Sequence, residues 1–319
     1  MTNGRPRRGS TRPASEFSAR ILALFAEGPA EAGLSRHKKA ATRRSVVNLD
    51  AARRRLADRA ERPLLGSDSY PMIVEGSFTT YYSFHAKVGR PKEVCMPVVV
   101  VANPKGGAGK STLSLVLGTS LASQGASVTL IDCDPNRPIV DWKAGPSASR
   151  VRVIGDATES TVISVIQEEA KTRQFVIVDL EGTASRLVSR AIARASLVLI
   201  PLQGSAVDAR QASRAVGLIR EEEELIERKI PFRLVFTRTS AAIPTRIDKK
   251  IVASLEAASI PALSTHLHER SAYKAMFVDK LALDELDPAA VNGLEAAREN
   301  AMRLALELVS VATNAKEAA

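Results

Sequence analysis

Two lysines five residues apart bracket a glycine-rich stretch, Lys105-Gly106-Gly107-Ala108-Gly109-Lys110, and Ser111 and Thr112 follow at once. Glycines in such a loop let successive backbone N–H groups turn inward around anionic oxygens without Cβ clashes. A helix starting near Lys110 would aim the positive end of its dipole at the same point. In that arrangement Lys110 reaches the β- and γ-phosphates of a nucleotide, Ser111 offers a hydroxyl to Mg2+, and Thr112 bonds the α-phosphate. The strict G-x-x-x-x-G-K-[ST] pattern fails at its first position, where Pro104 stands, and Lys105 is the added feature. A glycine turn ahead of a helix would account for the glycines but not for both lysines and Ser111.

Carboxylates supply the other half of phosphate chemistry. Asp132 and Asp134 flank Cys133 at the end of the run SVTLIDCDPN, and Asp179 closes the run QFVIVD. Acidic residues at the carboxyl ends of strands beside a phosphate loop are placed for Mg2+ and water. Capping a helix is the alternative use of Asp179.

These residues work only if strands and helices deliver them to one edge. Residues 97–102, PVVVVA, read as a strand buried on both faces. After the loop, Leu113, Val116, Leu117 and Leu121 recur at helical spacing, and Gly125 closes the helix. The rhythm repeats, with strands expected at 127–132, 151–154, 174–179, 197–201 and 232–236. Helices are expected at 159–172, 184–195, 206–228, 244–259, 270–278 and 289–313, with Glu221 to Glu224 as a solvated face. The fold expected is α/β, a mostly parallel twisted sheet flanked by helices. A guanine-reading N-K-x-D box is absent after the strand at 232–236, where Thr237-Arg238 stands, so adenine is the expected base.

The 319 residues carry a net charge of +10, 45% hydrophobic and 4% aromatic residues. No apolar run approaches the roughly 20 residues of a membrane helix, and the basic N-terminus lacks the apolar stretch of a secretory signal. Two cysteines, Cys95 and Cys133, make neither a disulfide framework nor a zinc site by themselves. A reducing cytoplasm is the expected compartment. Residues 1–92 hold 18 basic and 8 acidic residues, and the remainder holds 27 of each, so the whole net charge sits in the first third. Residues 1–95 are expected to be a basic, weakly ordered extension, with short helices at 15–27 and 46–60 and a hairpin at 70–90. Residues 96–319 are expected to form the main domain. Met96 stands directly before the first strand, as though a protein began there, which makes residues 1–95 dispensable on this reading.

KGGAGKST with its early lysine, IDCDPN, VIVDLEG and PLQGSAVD, in this order, resemble the ParA/MinD family of deviant Walker ATPases. The resemblance spans about residues 97–280. DPNRPIVDW, PLQGSAVDARQA and ERSAYKAMF are most similar to small plasmid proteins of that family, both partition ATPases and conjugation-associated proteins that bring relaxase–DNA complexes to a transfer channel. The resemblance implies a homodimer that sandwiches ATP, with Lys105 reaching across to the partner's nucleotide. Lys110, Ser111 and Thr112 would hold the phosphates and Mg2+, Asp134 would position the attacking water, and Asp132 and Asp179 would meet Mg2+ through water. Pro201 and its following loop would border the adenine. It further implies slow, partner-stimulated hydrolysis, a ParB-like, relaxase or coupling-protein partner, a nucleoid-associated or polar location, and nonspecific DNA binding. Arg246, Lys249, Lys250, Arg270 and Lys274 are the DNA candidates. Glu181 and Asn136 depart from the family's usual proline and glutamine. The tail LELVSVATNAKEAA has one lysine and no large aromatic, so the stable membrane binding of MinD-like cargo positioners is not expected. A metabolic ATP-driven enzyme of the dethiobiotin-synthetase kind would have no use for Lys105.

Overall fold

Four consecutive valines, Val98–Val101, form β1 at the centre of a seven-stranded sheet in the computed structural model of the chain. The model describes residues 97–182, 185–204, 206–240, 253, 255, 257 and 260–317. The extension expected over 1–95, its start at Met96 and most of the helix expected over 244–259 lie outside the described residues.

Continuous β-branched runs suit strands covered on both faces. The others are β2 (Val128–Cys133), β3 (Arg152–Ile154), β4 (Phe175–Leu180), β5 (Leu197–Leu202), β6 (Phe232–Thr239) and β7 (Leu267–His268). Their order is β3-β2-β4-β1-β5-β6-β7, and every pairing is parallel. Parallel neighbours require crossovers, and helices supply most of them: α1 (Lys110–Ser123), α2 (Pro138–Lys143), α3 (Val162–Thr172), α4 (Arg186–Ala193) and α5 (Ala206–Ile226). Two more, α6 (Ser271–Asp279) and α7 (Leu294–Glu317), complete the described helices.

Alternation along β1 divides the core in two. Val99 and Val101 join α1, α2, α6 and α7 on one face, while Val98 and Val100 join α3, α4 and α5 on the other. Helix α1 is buried on all sides from Leu113 to Ala122, because α7 covers the surface that the sheet leaves. Its Gly118 permits that fit, since a Cβ there would come within 2.7 Å of Leu130 Cδ2.

The expected α/β architecture holds. Several details differ, among them β6, which runs on to Thr239, and α7, which spans Leu294–Glu317 rather than 289–313. Helix α2 and strand β7 were not expected; both are short, and their stability comes from packing rather than periodicity. Strand β5 runs on to Leu202 and takes in Pro201, which pairs with Val235. Pairing with β1 ends at Leu199, so no ladder partner on that side asks Pro201 for an N–H. Glu222 and Glu223 are buried, not solvated, so the expectation for Glu221–Glu224 is corrected. Glu223 Oε1 accepts from Ile230 N at 2.8 Å and Oε2 from Arg220 and Lys229, which ties the end of α5 to the lead into β6. A charge run looks solvated in sequence because the turn after α5 that brings Ile230 N and Lys229 back onto Glu223 has no periodic signal.

Candidate nucleotide site

The sheet's topology brings the loops after β1, β2, β4, β5 and β6 to one edge, where open parallel sheets bind ligands. After β1 the chain enters the glycine loop through Asn103, which is 2% exposed. Its Nδ2 donates to Pro201 O at 2.6 Å and its Oδ1 accepts from Lys105 N at 2.8 Å, so one side chain ties the loop to β5. Gly109 takes a left-handed φ of 92° that disfavours side-chain-bearing residues, and its carbonyl accepts from Leu113 N to open α1. Ala108 O accepts from Thr237 Oγ1 at 2.9 Å, and Gly107 O accepts from Gln203 Nε2 at 3.3 Å. The Cβ positions of Gly106 and Gly107 meet nothing within 4 Å, so the cradle opens outward. On its flank, Gly182 lies so close that a Cβ would sit 3.2 Å from Gly106 N.

Lys110 is buried, and its Nζ donates to Lys105 O at 3.3 Å, which folds the loop around the ammonium. Burial lowers its pKa, while Asp179, Asp134 and Glu181 hold the proton on. Lys105 is half-buried at the rim of the same loop. Thr112 is half-buried in the first turn of α1 and lines the same cavity as Gly109.

The three aspartates come together as the strand ends require, and differ in their surroundings. Asp132 and Asp179 face each other in the β2–β4 register. Asp179 is fully buried and accepts from Ser114 Oγ at 3.1 Å, while its Oδ2 has no hydrogen-bond partner among the described residues. Burial pushes its pKa up to about 7; the Ser111 hydroxyl opposes that, Asp132 adds to it, and Ser114 and Lys110 oppose it. Asp132 Oδ2 accepts from Ile139 N and Val140 N, and its Oδ1 from Asp134 N. That makes Asp132 the anchor of α2, a role its sequence position did not reveal, with one lone pair left on Oδ1. Burial raises its pKa and these N–H groups oppose the rise. Asp134 is half-exposed and accepts from the Asn136 backbone and side chain. Between the acids, Cys133 is buried, its thiol pushed up to about 12 by burial first and then by Asp132 and Asp179, which makes it unreactive.

This donor set fits a Mg2+ ion that arrives on phosphate oxygens. The orphaned Asp179 oxygen is an acceptor that a metal-held water would satisfy. Among the described residues no group of three His, Cys, Asp or Glu side chains could hold a metal without help. Mg2+ commonly relies on one or two protein groups plus phosphates.

Beside Gly109 and Thr112 opens a cavity of about 270 Å3, walled by Thr237, Arg238, His268, Arg270 and Lys274 among others. Arg270 therefore stands at the loop, with its buried Nε lacking a partner among the described residues. Lys274 is exposed and pairs with Glu269 at 2.8 Å. Arg246, Lys249 and Lys250 lie outside the described residues. Pro201 is buried within β5 and acts on the loop through Asn103. Sequence reasoning missed the braces Asn103, Gln203 and Thr237; each is a polar residue at the carboxyl end of a strand, a signal that was present but unread.

Comparison with known proteins gives the chain's kinship. The family described as VirC1 protein matches residues 96–318. Protein ParA of Rhizobium radiobacter is 45% identical over 221 residues, which cover 69% of this chain and 99% of that protein. Among solved structures, a McdA variant of Cyanothece in complex with ATP superposes with a TM-score of 0.52 at 19% identity, over 68% of this chain and 97% of that one. MinD of Aquifex aeolicus gives a TM-score of 0.50 at 19% identity, over 65% and 96% of the two chains. These two likenesses carry the fold, and the family match carries the kinship. The chain belongs to the VirC1 family and has the ParA/MinD-type P-loop NTPase fold.

Proposed function

We propose that this chain is an ATP-dependent dimerisation switch of the ParA type that partitions or positions DNA. The observation that carries the reading is the pair of lysines on one glycine loop, Lys110 buried within it and Lys105 at its rim, facing Asp134 and Asp179. The working unit is residues 96–319, with residues 1–95 a basic extension. Lys110, Ser111 and Thr112 hold the phosphates of the chain's own ATP, with the loop N–H groups of Gly106 to Gly109 around them. Lys105 reaches the nucleotide of a second copy, which makes dimerisation and ATP binding one event. Asp134, the most exposed of the three aspartates, orients the attacking water. Mg2+, when bound, neutralises phosphate charge, and Ser111, Asp179 and the remaining lone pair of Asp132 would hold it and its waters. The adenine lies beyond the loop, bordered by the segment after Pro201. Such catalysis is positioning plus charge neutralisation, so slow turnover awaiting a partner suits it. The dimer binds DNA without sequence preference, through Arg246, Lys249, Lys250, Arg270 and Lys274, in the cytoplasm at the nucleoid or a pole.

A gel shift on long nonspecific duplex DNA tests the reading, run without nucleotide, with ADP and with ATP–Mg2+. Binding only with ATP, lost in Lys110→Ala, is the expected result; binding indifferent to nucleotide overturns it. The segments DPNRPIVDW and ERSAYKAMF, similar to partition ATPases and to conjugation-associated proteins alike, support a second reading beside the first, as an adaptor that recruits a relaxase–DNA complex. Normal mating after deletion of the gene would exclude that adaptor.

A further inference from the structure

Away from the nucleotide edge, α4 carries Arg186 and Arg190 four residues apart, and Arg194 follows at its C-cap. At a rise of about 1.5 Å per residue this spacing sets one guanidinium per turn along one side of the helix. Arg228, just past the end of α5, closes the row. The four line a groove of about 860 Å3 between α4 and α5. Three of them are held in place: Arg228 donates to Ala193 O and Ala195 O, Arg190 donates to Glu159 O, and Arg186 lies 3.8 Å from the Glu159 carboxylate. Arg194 is exposed. Between them Leu225 stands 76% exposed, beside the partly buried Ile226 and Ile163. Nothing in the proposed switch uses this face.

We infer that the α4–α5 groove is a docking site for an acidic peptide segment of a partner protein that places an apolar side chain against Leu225. Charge complementarity selects the occupant. Guanidinium groups fixed by backbone carbonyls present forks that match carboxylates. A concave groove with an exposed leucine suits a peptide, in the manner of an apolar anchor within a charged rim. Duplex DNA fits it less well, because a phosphate backbone has no apolar group to set against the exposed Leu225. The chain's own N-terminal third is excluded by sign, since residues 1–92 carry the entire +10. Helix α4 also begins four residues after Gly182, which rests on the glycine loop. Any effect of the occupant on turnover rests on the switch proposed above; its binding does not.

The experiment is fluorescence anisotropy of a labelled peptide of aspartates and glutamates with leucines at helical spacing, added to the full chain without nucleotide. Its lysine counterpart and a labelled DNA duplex run beside it. Saturable binding of the acidic peptide alone, weakened about tenfold in Arg194→Glu and less in Leu225→Ser, is the expected result. Both positions are exposed, so the variants fold, and unchanged binding of a fluorescent ATP analogue checks this. Failure of the acidic peptide to bind, or binding by both variants as tight as by the parent chain, overturns the docking site. Loss of DNA binding in Arg194→Glu, with peptide binding unchanged, also overturns it and gives the face to DNA. The ATP-gated gel shift is read separately, so the switch and the groove stand or fall independently.

Discussion

At the scale of single residues, the two loop lysines and the three aspartates divide between chemistry and architecture. On the proposed cross-dimer role, Lys105→Gln is expected to keep ATP binding while lowering turnover about a hundredfold and abolishing ATP-driven dimerisation. Steady-state phosphate release and light scattering measure both, and unchanged turnover contradicts the role. Asp134→Ala is expected to stop hydrolysis and leave an ATP-bound dimer, which light scattering reports directly. Asp132 behaves differently from its neighbour two residues on, because its oxygens hold the backbone of Ile139, Val140 and Asp134. Asp132→Ala is therefore expected to cost about 1–3 kcal/mol of stability in urea titration, as a lost cap with stranded N–H groups. A stability equal to the parent chain would show that α2 does not need this anchor.

Among the elements, α5 and its exit carry a pH-sensitive joint. Burial alone would raise the Glu223 pKa, but the Ile230 N–H, Arg220 and Lys229 outweigh it and hold the carboxyl below its ordinary value. A pKa depressed in the folded state contributes stability that is present above the unfolded value of about 4.3 and is lost as pH falls through the folded one. Glu223→Gln is expected to lower the urea midpoint at neutral pH and to narrow the gap with the parent chain as pH falls below about 4. A gap independent of pH would contradict the ion-pair account. The same joint shows why the elements were easier to place than their surfaces. Long apolar periods in β1, β4 and α1 announced themselves, whereas the burial of Glu223 depends on how the chain turns back after α5 to bring Lys229 and Ile230 onto it.

For the whole molecule, the uneven charge is the dominant feature. Residues 93–319 are neutral in balance and the first 92 hold +10, so the DNA binding proposed above has two separable candidate sources. Each phosphate contact made by a lysine or arginine steepens the fall of affinity with salt. The full chain is expected to show a steeper salt slope in gel shifts than a chain beginning at Met96, while both retain the ATP requirement. Equal slopes would mean that the extension makes no phosphate contacts. The described residues contain no helix long and apolar enough to cross a membrane.

The sequence by itself determined the class of chemistry and the class of fold. A glycine loop between an all-valine strand and a leucine-spaced helix has local causes, backbone freedom and hydrophobic period, and both are visible without coordinates. The aspartates at strand ends were legible for the same reason, as were most strand and helix positions. Only the tertiary structure decided which groups those residues meet. It made Asp132 an anchor for α2 and left one oxygen of Asp179 without a partner. It braced the loop through Asn103, Gln203 and Thr237, set Arg270 against a cavity beside Gly109, and lined Arg186, Arg190, Arg194 and Arg228 along one groove. The braces depend on contacts between segments about a hundred residues apart, which the strand order brings together, and even the local turn that seats α2 on Asp132 follows no hydrophobic period.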